Sequence, residues 1–209
     1  PPLPTQGLPF LEEDPPHEFD ILTARNVMAP SVLILREEEQ VVDIRSLLRR
    51  TPHSGFPVCL LRAEGRAGEG TPPLPKLVGF IQRRHLLVLL GERVWERQAG
   101  GEALPEVTRR RFIDSHQHSN AAAILNTYLT PTELKSTIDL RPFIDPCPYT
   151  VNELMPLRRV YRLFNDIGVR HLTVVDGEGC VVGLITRKDI LPEHIAERAM
   201  GQAGLIELP

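Results

Sequence analysis

The spacing of apolar and polar residues changes between strand-like and helix-like patterns in the same order in both halves of the chain. Short apolar runs predict strands, and apolar residues spaced three and four apart predict amphipathic helices. The first half is predicted to contain, in order, a helical turn at Thr23–Met28, a strand at Val32–Leu35, a helix carrying Val41, Ile44, Leu47 and Leu48 and ended by Pro52, strands at Phe56–Leu61 and Leu77–Gln82, and a helix at Arg84–Leu90 stopped by Gly91.

The second half predicts the same series of elements. They are a strand at Tyr149–Val151, a helix at Leu157–Ile167 stopped by Gly168, strands at Leu172–Val175 and Val181–Thr186, and a closing helix from about Lys188 to Arg198. Glycine after a helix and the Asp-Gly-Glu-Gly turn before Cys180 supply residues that accept a positive φ.

The two halves are also related in sequence. Val27–Pro30 matches Phe143–Pro146 at an offset of 116 residues, and Val78–Leu86 matches Val182–Ile190 at an offset of 104. The difference of 12 residues falls in a Gly/Pro-rich insertion within Ala63–Lys76 of the first copy. A repeated β-α-β-β-α unit predicts an α/β (α+β) fold of two modules packed as a pseudo-two-fold pair, with a natural ligand position between them.

The expected boundaries follow from these repeats. They are an extended N-terminal segment at 1–22, a first module at 23–91 with the surface insertion within 63–76, a connector at 92–138 that is mostly solvated loop with a short helix at Ala121–Tyr128, a second module at 139–200 and a C-terminal tail at 201–209.

Composition excludes several classes of function. Hydrophobic residues make up 42% and charged residues 24%, which is ordinary for a globular protein. A net charge of −3 provides no basic field for nucleic acid. No apolar stretch approaches the roughly 18 residues that a membrane span needs, and the proline-rich start is unlike a signal peptide. Three scattered cysteines favour a reducing compartment.

Several motifs carry a resemblance to a known family. They are Leu22–Met28, Ser54–Val58, Pro148–Val151, Gly168–Asp176 and Val182–Asp189. Each module resembles a CBS domain, and the pair resembles the tandem arrangement called a Bateman module. The motifs are similar to the cytoplasmic C-terminal domain of eukaryotic CLC chloride channels and chloride/proton exchangers, most of all to the intracellular, lysosomal-type branch. Leu8–Glu12 fits the exit from the last membrane helix in such proteins.

The resemblance implies a regulatory adenine nucleotide (ATP, ADP or AMP) in the cleft between the modules. The candidate binding residues are Val32, Leu33, His53, Ser54, Gly55, Phe56, Pro57, Thr186, Arg187, Lys188 and Asp189. The backbone at Val32 and Leu33 would meet the base edge, and Gly55 would allow close approach to the base. His53 would stack where the family can carry an aromatic residue.

The second copy supplies the polar part of the expected site. The Asp189 carboxylate can accept both ribose hydroxyls, and Arg187 and Lys188 stand where a phosphate would be bound. The first copy has His85 at the corresponding position, and a histidine cannot accept two hydroxyl groups. One nucleotide per chain is therefore expected.

Each of these residues also has a purely structural interpretation. Asp189 is a reasonable helix cap, Ser54 and Gly55 a turn, His53 a surface side chain, and Arg187 and Lys188 solvated charges. Asp114, His116 and His118 lack the spacing of a metal site, so a loop is expected there. No nucleophile, base and acid form a catalytic set, and an enzyme is not expected.

Three functions fit the sequence. The first is a nucleotide-sensing regulatory domain on the cytosolic face of an intracellular membrane, attached to its own transmembrane chloride-transport domain in a homodimer, with a possible accessory subunit. The second is a scaffold for dimerisation, trafficking or partner docking with no ligand. The third is a Bateman module of another CBS protein, such as an enzyme regulated by a different adenosyl compound.

Overall fold

The computed structural model describes residue 11 and residues 14–60, 75–101 and 121–195. The helices are α1 (Ala24–Val27), α2 (Val41–Arg50), α3 (Arg83–Gly91), α4 (Val94–Ala99), α5 (Ala121–Asn126), α6 (Pro131–Lys135) and α7 (Leu157–Arg162). The strands are β1 (Leu35–Arg36), β2 (Glu38–Gln40), β3 (Gly55–Leu60), β4 (Lys76–Gln82), β5 (Thr137–Asp139), β6 (Thr150–Asn152), β7 (His171–Val175) and β8 (Val181–Thr186). Three 3-10 turns lie at His17–Asp20, Arg141–Phe143 and Arg187–Ile190.

The chain forms two compact units, and each unit draws on both halves of the sequence. The central unit spans Leu33–Glu69 and Leu77–Cys147. The terminal unit combines the segment up to Val32 and Gly70–Lys76 with the chain from Pro148 onward.

The central unit contains a three-stranded sheet in the order β1-β3-β4 and a two-stranded sheet of β2 and β5. Strands β1 and β3 are parallel, with Leu35 opposite Val58. Strands β2 and β5 are antiparallel, with Glu39 opposite Ile138. Ile44 and other fully buried side chains of α2 pack into the hydrophobic core of this unit. They lie on one face of the helix because the apolar positions recur at helical spacing.

The terminal unit contains the sheet β6-β7-β8. Strands β6 and β7 are parallel and β7 and β8 antiparallel, so the order of the first copy recurs. Helix α7 continues as a π-helical turn at Leu163–Ile167 and ends at Gly168, which has a φ of 72°. Val160 and Phe164 pack on this sheet with Phe19, which is only 1% exposed.

The segment that leads into each copy pairs with a strand of the other copy. In the terminal unit, the backbone N–H of Ala29 donates to the carbonyl of Leu184 at 2.9 Å, and that of Leu184 donates back at 3.1 Å. In the central unit, Phe80 and Asp145 form the matching pair at 2.9 and 2.8 Å. The compact units therefore differ from the contiguous modules expected at 23–91 and 139–200.

Most predicted elements are confirmed to within a residue or two. The strand expected at Val32–Leu35 is wrong, since pairing with β3 begins only at Leu35. The N-terminal segment is not simply extended, because Phe19 is buried at the 3-10 turn. The connector contains α4, α6 and β5, which the sequence interpretation missed. Most of the insertion, residues 102–120 and residues 196–209 lie outside the described residues.

Gln98 in α4 closes the outer edge of β5. Its amide nitrogen donates to the carbonyl of Asp139 at 3.0 Å, and its amide oxygen accepts from the N–H of Asp139 at 2.9 Å. At this residue of the edge, the side chain takes the hydrogen-bonding place of a neighbouring strand.

Replacing Gln98 with alanine is expected to lower the free energy of unfolding by about 1–2 kcal/mol, because both hydrogen bonds are lost. Urea denaturation followed by circular dichroism would measure the change. Gln40→Ala, which removes an exposed amide from β2, is the control and is expected to cost under about 0.5 kcal/mol. Equal effects of the two substitutions would contradict this role of Gln98.

Candidate functional site

The strand-to-helix junction after β8 holds Asp189 in a fixed position. Thr186 has extended backbone angles and begins the 3-10 turn Arg187–Ile190. One oxygen of the Asp189 carboxylate accepts the backbone N–H of Thr186 at 2.8 Å and its hydroxyl at 2.6 Å. This reciprocal cap satisfies groups that a helix start otherwise leaves open. The fully buried side chain of Ile190 anchors the other end of the turn.

The fixed carboxylate keeps the chemistry expected of a ribose partner. An ionised carboxylate has about four acceptor positions on its two oxygens, so capping and a further hydrogen bond are compatible. Asp189 is half-buried, which strengthens any hydrogen bond that it accepts from a ligand. The N-cap is Thr186 and not the expected Asp189, which is instead the third residue of the turn and completes the capping box with its carboxylate. This capping bond positions the carboxylate and is compatible with a binding role.

The two cations beside Asp189 differ in their surroundings. Arg187 is half-buried, and its Nη2 donates to the carbonyl oxygen of Phe164 at 2.9 Å. Lys188 is exposed. Of the two candidates for phosphate contact, the lysine has the conformational freedom to reach a ligand.

The other group of candidate residues lies in the central unit at the start of β3. His53 and Ser54 are exposed, whereas Gly55, Phe56 and Pro57 are buried. The ring of His53 meets that of Phe56 edge to face, with centroids 6.3 Å apart. This contact holds the imidazole at the end of the strand. The carbonyl of Ser54 accepts the backbone N–H of Arg83 at 2.8 Å.

Gly55 has a packing reason to be glycine. A Cβ at this position would lie 2.3 Å from a ring carbon of Phe80, so any side chain would collide with that ring. Packing against Phe80 is therefore enough to explain a glycine here, without the close approach of a nucleotide base that was expected at Gly55. The ring of Phe80 occupies the direction in which a side chain would point.

Val32 and Leu33 precede β1 and lie outside any strand. Val32 is half-buried and is the last residue of the first segment of the terminal unit. Leu33 is 41% exposed and opens the central unit. The candidate residues thus form two groups, with Thr186–Asp189 and Val32 in the terminal unit and Leu33 and His53–Pro57 in the central unit.

His85 occupies the position in the first copy that Asp189 occupies in the second. Burial, followed by the neighbouring charge of Arg84, lowers the pKa of His85 below its ordinary value. The folded chain therefore favours the neutral imidazole. The first copy thus lacks the negative charge that a ribose-binding carboxylate would supply at this position.

The depressed pKa of His85 has a consequence for stability. Its contribution is complete above the ordinary histidine pKa of about 6.5 and is lost as the pH falls through the lower folded value, since the unfolded chain then binds more protons. We expect the wild-type free energy of unfolding to fall between pH 7 and pH 5, and His85→Gln to flatten this dependence. Denaturation curves at several pH values would measure it, and an unchanged slope in the variant would contradict the assignment.

A cavity of about 170 Å³ lies in the central unit, away from the predicted site residues, and its lining includes Arg45, Arg93 and Ile124. Arg45 donates to the carbonyls of Leu125 and Thr127 at 2.9 and 2.8 Å. Arg93 pairs with Glu96 and Glu133. Both guanidinium groups are thus engaged by the protein, and the cavity is not the candidate site.

Other site types find no support among the described residues. In that part of the chain, no three His, Cys, Asp or Glu side chains are grouped to hold a metal ion. Asp114, His116 and His118 lie outside it. No helix in the described ranges is long and apolar enough to cross a membrane.

Comparison with protein families assigns the second copy of the repeat to a known domain family. The model of the CBS domain family matches residues 140–194, which include β6, β7, β8 and the Asp189 turn. The chain carries a CBS domain. The expected CBS assignment is thereby confirmed for the copy that holds Asp189.

Relatives of known type match nearly the whole chain. The H(+)/Cl(-) exchange transporter 7 of Bos taurus is 38% identical over 206 residues, which cover 97% of this chain and 24% of that protein. Chloride channel protein CLC-d of Arabidopsis thaliana is 36% identical over 208 residues, which cover 97% of this chain and 25% of that protein. These matches assign the chain to the CBS region of a CLC protein. The chain spans about a quarter of the length of these relatives.

Solved structures show a more distant likeness. The CBS domain of a bacterial CNNM/CorC family Mg2+ transporter, in complex with ATP, gives a TM-score of 0.47 at 19% identity. The match covers 85% of this chain and 90% of that chain. A likeness at this level says nothing about a ligand of the present chain.

Proposed function

We propose that this CBS region binds an adenine nucleotide and thereby regulates chloride transport by the CLC protein to which it belongs. The observation that carries the proposal is the capped carboxylate of Asp189 at the end of β8, inside the matched CBS domain. Its fixed position supports a role as acceptor for the ribose hydroxyls, because a held acceptor loses little conformational entropy on binding.

The remaining contacts of the proposed site divide by chemistry. Lys188, which is exposed and adjacent to Asp189, is proposed to meet the phosphate groups. The backbone at Val32, in the same unit as Asp189, is proposed to meet the edge of the base. Because His85 replaces the acid in the first copy, we propose one nucleotide per chain.

The proposed mechanism is linkage between binding and transport. A ligand shifts a conformational equilibrium only by the difference between its affinities for the two states. We propose that the nucleotide favours one conformation of the CBS region and that this preference passes to a membrane-embedded transport domain elsewhere in the same polypeptide. The chain's coverage of 24% of its exchanger relative leaves room for such a domain.

The proposed setting follows from the same relatives. We propose that the CBS region faces the cytosol at an intracellular membrane, in a homodimer and with a possible accessory subunit. Both a channel and an exchanger are compatible with this proposal.

Calorimetric titration of the chain with ATP, ADP, AMP and S-adenosylmethionine tests the proposal. We expect one-site binding of at least one adenine nucleotide. At a ligand concentration 100-fold above the dissociation constant, binding should stabilise the fold by about 2.7 kcal/mol, which a thermal melt would detect. Preference for S-adenosylmethionine would instead favour the CBS module of another kind of protein.

A scaffold is the second candidate function, and exposed apolar side chains favour it. In the terminal unit, Ile21 is 86% exposed and Leu154 is 65% exposed. We propose that these two side chains belong to an interaction surface, since contiguous exposed apolar patches mark such surfaces. Absence of both heat and thermal stabilisation at millimolar nucleotide would reject the sensing function and leave the scaffold.

A further inference from the structure

The arginine beside the candidate ribose partner repeats in the other copy, although the acid does not. Arg83 opens α3 after β4, and Arg187 opens the 3-10 turn after β8, 104 positions later. Asp189, two residues after Arg187, corresponds to His85. Because the arginine is shared while the neighbouring acid is not, we expect the arginine to have the same structural role in both units, independent of a ligand.

The contacts of the two arginines show this common task. In the central unit, Arg83 donates from Nη1 to the carbonyl of Thr51 at 2.7 Å and from Nη2 to that of Leu48 at 2.5 Å. In the terminal unit, Arg187 donates from Nη2 to the carbonyl of Phe164 at 2.9 Å. Leu48 and Phe164 are 116 positions apart, which is the repeat offset of this part of the chain. Each arginine therefore joins the junction after the last strand to the end of the preceding long helix.

Helix ends explain why an arginine suits this position. The last four carbonyls of a helix lack partners within the helix, and the same end carries a partial negative charge. Phe164 lies in the π-helical turn that closes α7, four residues before Gly168. A guanidinium group supplies both the donor and the positive charge. Arg83 is half-buried, so this contact is partly removed from water, and the burial lowers the pKa of Arg83.

We infer that Arg187 is a positioning residue for Asp189 and does not bind phosphate. By joining the turn Arg187–Ile190 to the end of α7, it fixes the backbone that carries the Asp189 carboxylate. This inference rests on the proposed nucleotide function and refines the expectation that both neighbouring cations meet phosphate. The Nη2 donor that bonds to the carbonyl of Phe164 is not available to a phosphate group.

Titration with adenosine, AMP and ATP distinguishes the two roles. If Arg187 positions Asp189, Arg187→Ala should weaken all three ligands by the same factor, roughly three- to tenfold for two coupled neighbours. In an Asp189→Asn background, the same change should have little further effect, because the group that it positions no longer acts. Arg159→Ala, which removes an exposed arginine from α7 in the same unit, is the matched control and should leave all affinities unchanged.

Two binding results would overturn the inference. A loss that grows from adenosine to ATP would show that Arg187 contacts phosphate. Unchanged affinity for all three ligands would show that its contact with Phe164 has no influence on Asp189.

A measurement without ligand separates this inference from the proposed function. Amide hydrogen exchange should become faster in both Leu163–Ile167 and Arg187–Ile190 when Arg187 is replaced by alanine, and should stay slow in Arg159→Ala. Failure of the wild-type chain to bind any nucleotide would reject the proposed function alone. Unchanged exchange in these two segments would reject the joining role of Arg187, whatever the ligand proves to be.

Discussion

Replacing Asp189 with asparagine is expected to weaken adenine-nucleotide binding at least tenfold, which corresponds to about 1.4 kcal/mol. Asparagine has nearly the shape of aspartate and keeps one oxygen that can accept the N–H and hydroxyl of Thr186. The substitution removes the negative charge and one of the two acceptor oxygens. If the remaining oxygen stays on Thr186, a ligand meets the amide NH2 group and loses its charged acceptor, and hydrogen bonds to charged acceptors are roughly twice as strong as neutral ones. Calorimetry would measure the affinity.

The fold of the Asp189 variants needs its own control. Asp189→Ala removes the cap as well as the charge and should lower the free energy of unfolding by about 0.5–2 kcal/mol, the usual effect of losing a helix cap. Asp189→Asn should cost less than Asp189→Ala. If asparagine binds nucleotide as tightly as the wild type, Asp189 is a cap alone and the ribose assignment is wrong.

Replacing Gly79 with alanine is expected to lower the free energy of unfolding by about 3–5 kcal/mol, from overpacking together with two disturbed backbone hydrogen bonds. A Cβ at this position would lie 2.6 Å from the carbonyl oxygen of Asp145 and 2.7 Å from a side-chain carbon of Ile144. The backbone oxygen cannot rotate away as a side chain can. Because Asp145 pairs with Phe80 through its backbone, the pairing itself would have to shift.

The matched control for Gly79 is Gly177→Ala. A Cβ at Gly177 would have no atom within 4 Å, so this substitution is expected to change stability by under about 0.5 kcal/mol. Chemical denaturation of both variants gives the comparison. A loss of stability in Gly79→Ala no larger than in Gly177→Ala would contradict the close pairing of Phe80 and Asp145.

Local patterns in the sequence predicted the parts of the fold that local forces determine. The helix at Val41–Arg50 has apolar residues at helical spacing and a proline two residues after its end, and its bounds follow from these features. Strand β8 was predicted over its full extent, Val181–Thr186, because its apolar residues are bounded by turn residues.

The missed elements depend on residues far away in the chain. Strand β2 is Glu38-Glu39-Gln40, whose composition disfavours a strand, and it forms because Thr137–Asp139 pairs with it about a hundred positions later. The buried face of α4 carries Trp95 and Val94, but the helix is too short for periodicity to reveal it. Contacts with distant residues stabilise both elements, and the local sequence of each segment does not indicate those contacts.

The candidate site shows the same division. The family resemblance singled out Asp189, His53 and Lys188, and it placed Arg187 beside Lys188 at the phosphate. The contact of Arg187 with the carbonyl of Phe164 involves a main-chain atom, which the type of a single side chain does not indicate. A signal was nevertheless present, since an arginine stands in both copies at the offset of 104 while the acid stands in one.

The exchange of lead-in segments between the copies has a consequence for incomplete chains. A polypeptide released before Asp145 would lack the partner of Phe80, and its residues 23–29 would lack Met155, Glu153 and Leu184, to which Ala24, Arg25 and Ala29 bond. The lead-in segment and strand β4 of the first repeat would then lack hydrogen-bond partners for their backbone groups. Synthesis must proceed well into the second repeat before the first gains its full set of partners. A nonsense mutation before Asp145 should therefore leave the cell with two unfinished units to degrade, and not with one working half.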